Sequence, residues 1–121
     1  MNKKNIFKES MDLQIAAKSI GLDWLEVDGI ISKIREETEE VDEAIKNHDN
    51  TAIKEELGDL VFTILCLMRH LDYDPEEIIE LANLKFKKRY EQVLKLLKKQ
   101  GKNYANPEEM EKLWQIIKKE S

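Results

Sequence analysis

Apolar residues recur along this chain at helical spacing almost from end to end. Val27, Ile30, Ile34, Val41, Ala44 and Ile45 form one stripe of period 3.6, and Ile53, Leu57, Leu60, Ile64, Leu67 and Leu71 form a second. Punctuation between stripes is sparse, with four glycines and two prolines. A first helix over about residues 8–20 stops at Gly21, and Asp23 followed by Glu26 reads as a capping box opening a second helix that runs to about Lys46. After the loop Asn47-His48-Asp49-Asn50, a third helix covers about residues 51–70. Asp74-Pro75-Glu76-Glu77 supplies an N-cap, a proline at the first helical position and acids in the first turn; Gly101 closes this fourth helix. Asn106-Pro107-Glu108-Glu109 repeats the signal for a short fifth helix ending near Lys119. No segment alternates with period two between hairpin turn residues, so the pattern predicts an all-α protein. Its short connections predict an antiparallel bundle of about four to five helices.

Carboxylates break into both stripes. Glu37 falls among the apolar positions of the second helix, with Glu40 on its flank; Glu56 lies on the edge of the third-helix stripe, with Asp59 beside it. Residues three apart share a helix face, so each pair can converge on one point, and antiparallel packing would bring the two pairs together. Four carboxylates in one place repel one another and resist desolvation, a cost that a divalent cation removes. Oxygen-only ligands suit a hard ion, Mg²⁺ or Mn²⁺, which takes its remaining ligands from water and substrate phosphates. That is the arrangement for metal-assisted attack of water on a phosphoanhydride. Gly58, interior to the third helix and next to these acids, suggests close approach of another group.

Composition narrows the alternatives. At 121 residues with 41% hydrophobic content the chain reads as a single domain, 1–121, with a core modest enough that homo-oligomerisation is expected to complete the burial of its wide apolar faces. The one cysteine, Cys66, excludes an intramolecular disulfide, suits a reducing compartment and sits in an apolar run as core packing. Neither a signal-peptide h-region nor an apolar run of membrane-spanning length occurs, so a cytoplasmic location is expected. Net charge is −5, but its distribution says more: residues 36–59 hold ten acids against two lysines, and residues 84–103 hold eight basic residues against Glu91. Such halves suit cations at one end of a site and phosphates at the other. Nucleic-acid binding by Lys87-Lys88-Arg89 is disfavoured by the overall charge, and because Phe86, Tyr90 and Val93 place that run on an amphipathic helix. A di-iron bundle would need Glu-x-x-His, yet neither His48 nor His70 has a glutamate three positions before it. A Nudix box is excluded by Glu37 and Asp42 standing where it requires an apolar residue and glycine.

Glu36-Glu37-x-x-Glu40 followed by Glu56-x-x-Asp59 within Glu-Leu-Gly-Asp-Leu resembles the signature of the MazG nucleotide pyrophosphohydrolases, in the all-α NTP pyrophosphatase superfamily. Gly21-Leu22-Asp23-Trp24 before it, Ala82-Asn83-Leu84-Lys85-Phe86 with Arg89 after it, and Met110-Glu111-Lys112-Leu113-Trp114 near the end are similar to segments of that family in the same order. The resemblance covers roughly residues 16–118. It implies Mg²⁺-dependent conversion of a nucleoside triphosphate and water to nucleoside monophosphate and pyrophosphate, in a housekeeping role on the nucleotide pool. It implies Glu37, Glu40, Glu56 and Asp59 as metal ligands and catalytic residues, and Glu36 as an acid that orients or activates water. Lys33, Arg35 and Lys85 match positions near the phosphates, with Asn83 and Arg89 in the same motif. Trp114 matches an aromatic beside the nucleotide and reads equally as a core or interface anchor. It further implies a homodimer or dimer of dimers.

Two positions depart from the family pattern. Leu81 stands where a lysine is common, and Ala52 where some relatives carry a basic group, which removes positive charge from the triphosphate side. The alternative to catalysis is a helical dimer that binds nucleotide or a protein partner and keeps its acids as a structural metal site.

Overall fold

A computed structural model describes residues 5–120. All regular structure among them is helical: α1 (Ile6–Ser19), α2 (Val27–Lys46), α3 (Asn50–His70), α4 (Pro75–Lys99) and α5 (Pro107–Glu120). The residues fall into two compact units, one ending at Glu76 and the other beginning at Glu77.

In the first unit α3 packs against α2 and, on another side, against α1. The three-residue connection Asn47–Asp49 folds α2 and α3 into an antiparallel hairpin. Its buried residues follow the sequence stripe closely on α2, where Ile30, Glu37 and Ala44 lie on one line at seven-residue spacing. On α3 the buried positions are Thr63, Leu65 and Cys66, the last confirming the core reading of the cysteine. Three expected stripe positions, Ile45, Leu57 and Leu71, are instead exposed. For Leu57 and Leu71 the cause is that α3 packs against both α2 and α1, so its burial follows those contacts rather than the centre of its apolar arc.

Caps set the helix starts. Asn5 Oδ1 accepts from Lys8 N at 3.0 Å and Asp49 Oδ1 from Ala52 N at 3.1 Å. Asp74 Oδ1 accepts from Glu76 N at 3.0 Å and Asn106 Oδ1 from Glu109 N at 2.9 Å, with Pro75 and Pro107 at the first helical positions. The capping box expected at Asp23 does not form. α2 begins at Val27 with Glu26 at its N-cap and no side-chain cap, three residues past Asp23, whose carboxylate pairs instead with the Arg69 guanidinium of α3. Helix ends are equally regular: after α1, α2, α3 and α4 a residue with positive φ, Gly21, His48, Asp72 or Gly101, closes a pair of reversed backbone hydrogen bonds.

The second unit builds its core from Val93 and Leu97 of α4, Ala105 of the connection, and Leu113 and Ile117 of α5, with Trp114 packed against them. Val93 points inward as expected, but Phe86 and Tyr90 are at least half exposed. They pack on each other instead, their rings 6.5 Å apart and nearly parallel.

Candidate metal centre

The α2–α3 hairpin brings the two acidic segments face to face. Carboxylate oxygens of Glu37, Glu56 and Asp59 lie within 4.8 Å of one another. Glu37 is 4% exposed, half-way along the buried line of α2. Its Oε1 is 3.0 Å from Lys33 Nζ, one turn earlier, which also reaches Glu36 Oε1 at 3.4 Å. Glu37 Oε2 and Glu56 Oε2 are both buried and without a hydrogen-bond partner. Glu40 does not belong to the converging trio, but its carboxyl neighbours Glu56.

Electrostatics divide the acids. The Lys33 ammonium holds the Glu37 carboxyl below the usual carboxylate range, against the effect of burial, and Glu37 in turn raises Lys33. Glu56 goes the other way: the adjoining Glu40 carboxyl, burial and Glu37 push it up to about 7. Without a cation, Glu56 is thus the acid of the cluster whose charged form is least favoured. Two buried carboxylate oxygens lacking any donor, in an all-oxygen set, fit a hard divalent cation. Glu37, Glu56 and Asp59 are the residues that could hold it, with Glu40 alongside.

The remaining residues singled out in the sequence are dispersed. Glu36 and Arg35 are exposed on α2; Arg35, two positions before Glu37, points about 200° around the helix from it and does not reach the trio. Asn83 and Lys85 are exposed on α4 and Arg89 is half-buried there, all in the second unit. Trp114 is half-buried, its ring 5.8 Å from that of Phe86, on one wall of a cavity of about 440 Å³ that Tyr90 and Tyr104 also line. Leu81 is exposed on α4. Gly58 does not meet the close neighbour expected of it: a Cβ there would touch nothing within 4 Å. Sequence reasoning passed over Gln14 and Arg69, which with Asp23 form a buried polar network between α1, the following loop and α3. The one signal was a glutamine among the apolar residues of α1.

A helical hairpin presenting converging carboxylates from facing helices defines the all-α class of carboxylate-bundle proteins. Residues 26–94, spanning α2, α3 and most of α4, match the model of the MazG nucleotide pyrophosphohydrolase domain. The chain belongs to this family. It is 38% identical over 89 residues to the nucleoside triphosphate pyrophosphohydrolase/pyrophosphatase MazG of Thermotoga maritima, covering 74% of this chain and 34% of that protein. To the nucleoside triphosphate pyrophosphohydrolase of Escherichia coli K12 it is 30% identical over 112 residues, 89% of this chain and 43% of that protein. The chain thus spans less than half the length of these relatives.

Proposed function

We propose that this protein is a Mg²⁺-dependent nucleoside triphosphate pyrophosphohydrolase, cleaving NTP with water to NMP and pyrophosphate. The observation that carries the reading is the trio Glu37, Glu56 and Asp59 with its two buried, unpartnered carboxylate oxygens. The family match and the names of both relatives support the same chemistry. Bound to these oxygens, Mg²⁺ would polarise phosphate oxygens and lower the pKa of a coordinated water. The chain's own part is to hold the carboxylates convergent on two packed helices, so that little reorganisation is needed on binding. Glu40, beside Glu56, is assigned to the metal with the trio, Glu36 to orienting or deprotonating the water, and Lys33 to the phosphates. Asn83, Lys85, Arg89 and Trp114 are assigned to the nucleotide on the family-like motifs that carry them, whereas Arg35, turned away from the trio on α2, is given no contact.

The working form is a homo-oligomer, because Leu57, Val61 and Leu71 leave an apolar strip of α3 exposed. The free thiol of Cys66 accords with a cytoplasmic setting, where the protein would act on the nucleotide pool. No helix among the described residues is long and apolar enough to cross a membrane. Incubating the purified chain with a panel of NTPs and dNTPs, with Mg²⁺ or with chelator, tests the proposal. Equimolar NMP and pyrophosphate are expected only with the metal. Nucleotide bound but never consumed, with Mg²⁺ or Mn²⁺ present, would favour the non-catalytic binding module instead.

A further inference from the structure

Four of the chain's eight aromatic residues gather on one cavity of the second unit. Phe86, Tyr90, Tyr104 and Trp114 line it, with Met110, around a volume of about 440 Å³. Phe86, Tyr90 and Tyr104 are 61%, 50% and 72% exposed, so much of their ring surface is open to a ligand, while Val93, Leu97, Leu113 and Ile117 fill the core beneath. A cavity of this size with mostly apolar walls has the character of a small-molecule site. Aromatic walls accept either a planar ring, by stacking, or an organic cation, over their faces.

The neighbourhood of the cavity decides between these ligands. Asn103 and Tyr104 also line a second, open cleft of about 500 Å³, whose other walls are Lys98, Gly101 and Lys102. Residues 95–102 hold four lysines, Lys95, Lys98, Lys99 and Lys102, and no acid. The end of α4 does not cancel this charge, because carbonyls of its last turn are already occupied: Gly101 N donates to Lys98 O at 3.0 Å and Lys102 N to Leu97 O at 2.9 Å. Lys102 meets Glu109 at 3.1 Å, but with side chains 48% and 44% exposed the pair is worth little, and the lysine can turn to an anion. Four lysines would repel an organic cation, whereas a planar ring carrying a negative group fits both halves. We propose that the double cavity is a nucleoside monophosphate site, with the base among the four aromatic rings and the phosphate on Lys98 and Lys102. Tyr104 stands where the halves meet, and the Asn103 amide there can donate to or accept from the sugar hydroxyls. No metal ligand takes part, so binding is independent of Mg²⁺. The choice of a nucleoside monophosphate among aromatic phosphates rests on the pyrophosphohydrolase reading, whose product it is.

Calorimetry of the full chain in chelator, with AMP, adenosine, inorganic phosphate and tetramethylammonium as probes, tests the assignment. AMP is expected to bind without Mg²⁺, at least about tenfold more tightly than adenosine or phosphate, since each half supplies part of the contact. Tyr104→Ala, at a side chain exposed enough to leave the fold intact, should weaken AMP about tenfold, the scale of one stacked base. Lys98→Ala should weaken AMP about fivefold and flatten its salt dependence, with adenosine held within about twofold. AMP binding that appears only with Mg²⁺, AMP affinity unchanged in both variants, or a preference for tetramethylammonium overturns the site. The two readings fail separately. Metal-free AMP binding without any pyrophosphate release from NTPs sinks the hydrolase alone, and pyrophosphate release by a chain that binds no AMP in chelator sinks this site alone.

Discussion

Glu56 is where the cost of gathering acids is most visible. The neighbouring Glu40 carboxyl, burial and Glu37 push its pKa up to about 7 in the folded chain, from an ordinary value of 4.5. Between those values the folded state binds more protons than the unfolded state, so this group's contribution to stability is present at low pH and is lost as pH rises toward 7. Glu37 and Asp23 are shifted the opposite way, and their effects fall below the usual carboxylate range. The metal-free protein should therefore melt at progressively lower temperature from pH 5 to pH 8, and Glu56→Gln should flatten that slope. An unchanged slope in the variant would assign the proton elsewhere. Mg²⁺ at millimolar concentration should raise the melting temperature of wild type at pH 8, since a ligand bound only by the folded state stabilises it. Glu37→Ala, which removes the most buried of the three acids, should abolish that rise.

At the scale of elements, local chemistry decides most boundaries. The turn joining α2 to α3 places His48 at φ 53, a left-handed conformation that costs a non-glycine residue about 1 kcal/mol. His48→Gly is expected to stabilise the fold by roughly 0.5 kcal/mol after the extra chain entropy is counted, measurable by urea unfolding. Gly58 poses the reverse question. A Cβ there meets nothing within 4 Å, so Gly58→Ala should gain about 1 kcal/mol of helix propensity. A loss instead would mean that another copy of the chain closes on this glycine. Such boundaries were legible because prolines, Asx caps and glycines act within a few residues: Pro75, Pro107, Gly21 and Gly101 all stand where the sequence placed them. The convergence of Glu37 with Glu56 and Asp59 was legible for a related reason, since seven-residue spacing sets Glu37 between Ile30 and Ala44 on the buried line. What depends on distant partners was not. Asp23 looked like a cap because its true partner, Arg69, lies 46 residues away, and Gln14 gave no sign of the network it joins. Leu57 and Leu71 read as core because periodicity marks an apolar arc without saying which part of it meets a neighbour.

For the whole molecule, the exposed apolar strip of α3 and the acidic hairpin make distinct demands. The proposed homo-oligomer would cover the strip, and sedimentation equilibrium should then find more than one chain per particle. Val61→Glu, which puts a charge at the centre of the strip, should shift the population toward monomer. A monomeric wild type would remove the oligomer from the account but leave the carboxylate centre intact. That centre is tested most directly by one rate: pyrophosphate released from NTP with saturating Mg²⁺ by wild type and by Asp59→Asn, which keeps the side-chain shape and removes the charge. The helical circular dichroism of the two should coincide, and the variant should release pyrophosphate at least about a hundredfold more slowly, as loss of a direct metal ligand demands more than the loss of an outer-shell contact. Wild-type release by folded Asp59→Asn would contradict the assignment of the Glu37, Glu56 and Asp59 cluster as the site of the chemistry.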